Sequence, residues 1–226
     1  CKVAQAREDY HRLRVLFKIE DKGMTGIAPT ERFLCWRYKN VDDGDCRVLK
    51  HFLIRGELPR LRSLCFKSTG IGDAGMAHIA DVIVSGSLPN LRQLVINDIG
   101  NCANRHNHIV MVELCRAIAS GSLSILQHLS LSESQISGVD MQLFAETVAK
   151  GSLAKLTQLN LDNNQICDVG MTAFSTAVAG GALAALYTLN LSDNQIGDAG
   201  MAAFSNSIVS GSFANLTKLW IHSNNI

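Results

Sequence analysis

Cys102, His106 and His108 bring a thiol and two imidazoles into one short stretch. Soft ligands of this kind suit zinc, but a structural zinc site takes four of them. No fourth ligand lies nearby in the chain, so the plainer reading is a loop, and no metal is expected. Cys35 and Cys65 stand thirty residues apart. On adjacent strands, about 4.8 Å from each other, their sulfurs could join in a redox-sensitive pair; two reduced, weakly polar side chains are the simpler alternative. Asp162 and Asp193 are acids of adjacent segments, but repetition alone accounts for their placement. No Ser/His/Asp set and no glycine-rich phosphate loop stands out. The chain is therefore not expected to be an enzyme, and no cofactor is expected.

The elements that must position these residues follow a thirty-residue period. It is clearest in Leu156, Leu159, Leu161, Asn164 and Ile166, and returns at Leu186, Leu189, Leu191, Asn194 and Ile196. Copies start at 31, 61, 91, 126, 156 and 186, and a partial seventh starts at 216. Every step is thirty except 91 to 126, where five extra residues fall within 97–108. A fixed period of this size means one strand-turn-helix unit stacked on copies of itself. The leading alternation of leucines reads as a short strand with one inward face. In the second half, Met201, Phe204 and Ile208 fall on one helical face. Asp168 and Asp198 are expected to be N-caps, and Gly56, Gly86, Gly121, Gly151, Gly181 and Gly211 to be left-handed C-caps.

Stacking turns positions into columns. Met76, Met111, Met141, Met171 and Met201, with Cys46 in the first copy, are expected in the core. So are Leu49, Ile79, Leu114, Phe144, Phe174 and Phe204. Asn164, Asn194 and Asn224 stand where the strand turns away, and their amides are expected to bond backbone left without partners there. That column weakens to Ser134, Thr69 and Lys39. Residues 1–30 do not fit the frame and are expected to form an irregular N-terminal cap, leaving 31–226 as the array.

The pattern L-x-x-L-x-L-x-x-N-x-I followed by G-D-x-G, as in Ile196, Gly197, Asp198 and Gly200, resembles the leucine-rich repeat family and, within it, the ribonuclease-inhibitor-like class. The resemblance implies an α/β solenoid, a horseshoe with a parallel sheet on the concave side and helices on the convex side. It also implies a non-catalytic scaffold that binds a protein. Regulation of an enzyme, as an inhibitor or a GTPase-activating protein, and a structural place in a larger assembly are the alternatives.

The surface rather than the fold must then carry the role. Strand positions between the leucines are expected to face the inner curve. They include Arg37, Lys67, Asn97, His128, Ser132, Asn160, Asp162, Asn190, Ser192, Lys218, Trp220 and His222. Arg32, Arg62 and Arg92 stack beside them as a basic row, and Arg105 joins Cys102, His106 and His108 in the inserted loop. Residues 1–113 hold 17 lysines and arginines against 13 acids, and residues 114–226 hold 4 against 7. The net charge of +1 gives no general pull toward nucleic acid, and no apolar run is long enough for membrane insertion. Seven scattered cysteines without a C-x-x-C pair favour a reducing, intracellular, cytoplasmic setting. The chain lacks an initiator methionine and stops in mid-repeat, so it is expected to be a piece of a longer protein or a subunit of a complex.

Overall fold

The computed structural model describes residues 32–37, 41–99 and 108–226. Within them, strands and helices alternate as the period predicts: β1 (Phe33–Arg37), α1 (Asp43–Ile54), β2 (Ser63–Thr69), α2 (Asp73–Val84), β3 (Gln93–Ile99), α3 (His108–Ala119), β4 (His128–Ser130), α4 (Gly138–Val148), β5 (Gln158–Asn160), α5 (Asp168–Ala179), β6 (Thr188–Asn190), α6 (Asp198–Val209) and β7 (Lys218–Trp220). All seven strands run parallel, in sequence order. The register puts Leu34, Leu64, Leu94, Leu129, Leu159, Leu189 and Leu219 in one row. Strands stack at about 4.8 Å, whereas packed helices need roughly 8–10 Å. The two layers can stay in step only if the stack bends, with the sheet on the inner curve.

One apolar core runs the length of the array. The methionine and phenylalanine columns lie in it, with Met76, Met111, Met141, Met171, Phe144, Phe174 and Phe204 all buried; Met201 is half-buried. Phe204 meets Phe213 edge-on, with ring centroids 5.2 Å apart. Trp36 stacks on Phe66 at 5.2 Å. On the outer side Asp81 joins three helices, lying 2.6 Å from Lys50 Nζ and 2.7 Å from Arg116. The Lys50 hydrogen bond, helped by Arg116, holds its carboxyl below the usual range. Exposed pairs of this kind stabilise little.

The six glycines that follow the helices all have positive φ, as expected for left-handed C-caps. The N-caps depart from expectation. Cys167 and Gly197, not Asp168 and Asp198, are the N-cap residues, and neither makes a side-chain cap. Asp168 is the first residue of α5, and its Oδ1 accepts from Gly197 N at 2.7 Å and Gly200 N at 2.9 Å. Asp43 does the same for Gly72 N at 2.7 Å. The aspartate therefore caps the helix of the following repeat, not its own. The second glycine of G-D-x-G makes room for it: a Cβ at Gly200 would stand 2.7 Å from Asp168 Oδ1.

The asparagine column does what its chemistry predicts. Asn164 Oδ1 accepts from Ser134 N and Ile136 N, while Nδ2 donates to the carbonyls of Leu131, Leu161 and Asp162. Asn194 repeats the arrangement one turn on, bonding Ile166 N, Leu161 O and Leu191 O. Where the column weakens, Ser134 Oγ donates to Ile96 O at 3.1 Å. The expected cap, residues 1–30, and Lys39 lie outside the described residues.

Candidate recognition surface

The sheet presents its second face opposite the helices, and three rows of side chains cross it. The first row contains Gln93, half-buried His128, and exposed Gln158 and Lys218. Burial lowers the pKa of His128 and so favours its neutral form. Lys218 Nζ lies over the Tyr187 ring, 5.8 Å from its centroid. The middle row runs from exposed Cys35 through buried Cys65 and Ser130 to half-buried Asn160 and Asn190, and ends at Trp220, which is 44% exposed.

The third row is where the expected outward face gives way. Lys67 is half-buried and 3.7 Å from Glu133, and His222 is exposed, 3.8 Å from Asp193. But Asn97 is 8% exposed, Ser132 4% and Ser192 2%. From β4 onward the strands are three residues long. Third-row residues there lie beyond the strand end, where the chain bends back and strand alternation no longer applies. Asp162 is half-buried, with Oδ1 shut off from solvent.

Three asparagines of the face are engaged within the solenoid, and for Asn97 this corrects the outward expectation. Asn160 and Asn190 are bound to their own turns, with side-chain oxygens accepting from Asp162 N at 3.2 Å and Ser192 N at 3.1 Å. Asn97 braces the neighbouring repeat by accepting from Ser130 Oγ and Ser132 N. An asparagine at a strand end was the available signal for that role, but alternation pointed it outward. Arg32, Arg62 and Arg92 stand exposed at the heads of β1, β2 and β3, in the predicted row. The Arg37 side chain, Cys102, Arg105 and His106 lie outside the described residues.

His108 is the first residue of α3, and its Nδ1 lies 2.6 Å from Asp140 Oδ1. Among the described residues, no group of three metal-ligating side chains comes together. Asp140 is 4% exposed and closes a capping box with Ser137. Burial works to raise its pKa, but hydrogen bonds from Ser137 and His108 outweigh burial and leave it lowered. A lowered carboxyl contributes stability that is present above its unfolded value, about 3.9, and lost as pH falls through the folded value. Asp140→Asn should thus lower the melting temperature clearly at pH 7, with the deficit shrinking toward pH 3. An equal deficit at both pH values would show that the carboxylate charge is not involved.

Cys35 and Cys65 are register partners, as expected, and no disulfide joins them here. Burial, then the charges of Asp43, Asp45 and Asp42, pushes the Cys46 thiol up. Burial pushes Cys115 up to about 11 against the pull of a Thr147 hydrogen bond. In native protein a thiol reagent should modify Cys35 within minutes, and Cys46 and Cys115 only after unfolding. If Cys35 resists until a reductant is added, the two register partners have joined.

A family profile described as a leucine-rich repeat matches residues 152–175 and 186–205. With the in-register parallel sheet and alternating helices, that settles the architecture.

The chain has the fold of a leucine-rich repeat solenoid.

Similar solved structures include a Bacteroides fragilis protein, 17% identical, matched over 74% of this chain and 42% of that one with a TM-score of 0.50. Human 5T4, the trophoblast glycoprotein also called Wnt-activated inhibitory factor 1, is 20% identical over 74% of this chain and 54% of its own, with a TM-score of 0.47. An internalin of Listeria monocytogenes is 16% identical over 96% of this chain and 69% of its own, with a TM-score of 0.38. At 17% identity the likeness to the Bacteroides fragilis protein is one of fold. The solenoid spans about half the length of the first two. No curated protein matches its sequence. Among the described residues, no helix of the solenoid is long and apolar enough to cross a membrane.

Proposed function

We propose that this solenoid is a non-catalytic scaffold that takes a protein partner on the inner face of its sheet. Leucine-rich repeats are generally protein-interaction modules, and the thirty-residue period with a full helix on the outer side supports the ribonuclease-inhibitor-like class. One observation carries the reading: the central inward row is leucine in repeat after repeat, while the middle row of the opposite face differs along the array. The row Leu64, Leu94, Leu129, Leu159 and Leu189 stays leucine and buried. The middle row of the other face passes from Cys35 through Ser130 and Asn160 to Trp220. The core does not constrain this row, so its residue types are open to recognition. Trp220 is the chief anchor, since exposed tryptophan is enriched among binding hot spots.

A partner captured from native extract and identified by mass spectrometry would then be measured against purified variants. Trp220→Ala is expected to weaken it about tenfold or more, and Arg62→Glu is expected to weaken it too. Unchanged affinity in both variants would move recognition off this face.

A further inference from the structure

Arg32, Arg62 and Arg92 form a ladder that the fold itself does not require. Their backbones are locked in step: Arg62 N donates to Arg32 O and Arg92 N to Arg62 O, each at 2.8 Å. The next rung is Gln127, whose N donates to Arg92 O at 2.8 Å. Beyond it the same position holds Thr157, Tyr187 and Thr217, which repeat the same backbone bonding. Four uncharged rungs show that the solenoid stacks well without arginine there.

Charge at these rungs works against the fold. Like charges on neighbouring strands, about 4.8 Å apart, destabilise the pairing. All three side chains are exposed, and among the described residues none of them has a carboxylate partner. Arg116, exposed on α3, shows the usual alternative, with Asp81 and Glu113 both beside it; Arg47 on α1 is exposed and, among the described residues, without a carboxylate too, but it stands alone rather than in a row. A repulsive row without internal neutralisation is complementary to an external anion.

We propose that Arg32, Arg62 and Arg92 are the docking row for an extended, acid-rich segment of a protein partner. This rests on the inner-face reading above and names the partner's chemistry. Guanidinium forks match carboxylates in two-point hydrogen bonds. Alternate side chains of an extended peptide recur at about 6.6–6.8 Å, and flexible arginine stems spread from their closer backbone spacing to meet them. A nucleic acid fits less well. Nucleic-acid binding draws on many phosphate contacts over a wide basic surface, whereas this row has three arginines and the formal charge of the chain is only +1.

The probe is a fluorescently labelled decaglutamate peptide, read by anisotropy at low salt, beside a glycine-serine peptide of equal length. Decaglutamate should bind and the neutral peptide should not, with affinity falling as salt shortens the screening length. Arg62→Gln, which copies the residue at rung 127, should weaken binding roughly five- to tenfold. Arg47→Gln makes the same charge change on the exposed side of α1 and should leave affinity unchanged. Absence of decaglutamate binding, or equal losses from Arg47→Gln and Arg62→Gln, would overturn the proposal. So would a ten-nucleotide oligothymidylate that binds as tightly as the peptide. The two readings fail separately: a captured partner lost by Trp220→Ala but kept by Arg62→Gln rejects the ladder and leaves the inner face in use.

Discussion

Asn164→Ala is expected to cost about 3–5 kcal/mol of unfolding free energy, since each buried backbone group left without a partner costs roughly 1–3 kcal/mol. The asparagine is 7% exposed, in the middle of the stack. Its oxygen takes Ser134 N at 3.1 Å and Ile136 N at 3.0 Å; its nitrogen serves Leu131 O and Leu161 O at 2.9 Å. Those groups lie in a bend with no strand or helix partner of their own, and alanine leaves them facing a small buried cavity. The four contacts belong to two repeats, so the damage falls on an interface rather than on one module. Stability in a solenoid is close to a sum of such interfaces, and a weak joint in mid-array should split the urea transition. Circular dichroism across a urea titration reads both effects. A loss below about 1 kcal/mol with a single unchanged transition would mean that water replaces the amide without penalty.

Phe174→Ala should cost a similar amount, about 3–5 kcal/mol, for a different reason. Phe174 is 0% exposed and stands in a column between Phe144 and Phe204, with the Phe213 ring 6.5 Å away. Removing it empties volume that two neighbouring repeats enclose, and the backbone cannot close in because both sides are pinned by sheet and asparagine bonds. Val169→Ala on the same helix is the control: Val169 is 60% exposed, so its loss should stay within about 0.5 kcal/mol. Comparable losses from both substitutions would show that the column is not a rigid core.

Periodicity was enough to read the strands, the helices, the buried leucine row, the methionine and phenylalanine columns and the left-handed glycines. Each of these depends on local spacing and on what apolar side chains must do in water, and the chain states both. The asparagine column was legible too, because an amide at a strand end has few other uses. Legibility failed at polar residues beside the turns. Asp168 looked like a cap for its own helix, yet the stack brings Gly197 and Gly200 within its reach, and those amides lie in the next repeat. Ser132 and Ser192 look outward by alternation, but their short strands end before the rule can apply; Asn97 lies within β3 and is covered because it braces the next repeat at Ser130 and Ser132. Asn160 and Asn190 looked free for a partner and are engaged with their own backbone.

The order of residues thus dictated a stacked, curved array with a wet face and a dry one, because burial of a repeating apolar pattern permits little else. Which polar groups stay available on the wet face was settled by packing. Hydrogen bonds between residues about thirty apart form or fail on differences of a few tenths of an ångström, and no linear pattern carries that information. With Asn97, Ser132 and Ser192 withdrawn by such bonds and burial, the exposed side chains left on and beside the inner face include Arg32, Arg62, Arg92, Lys218 and Trp220.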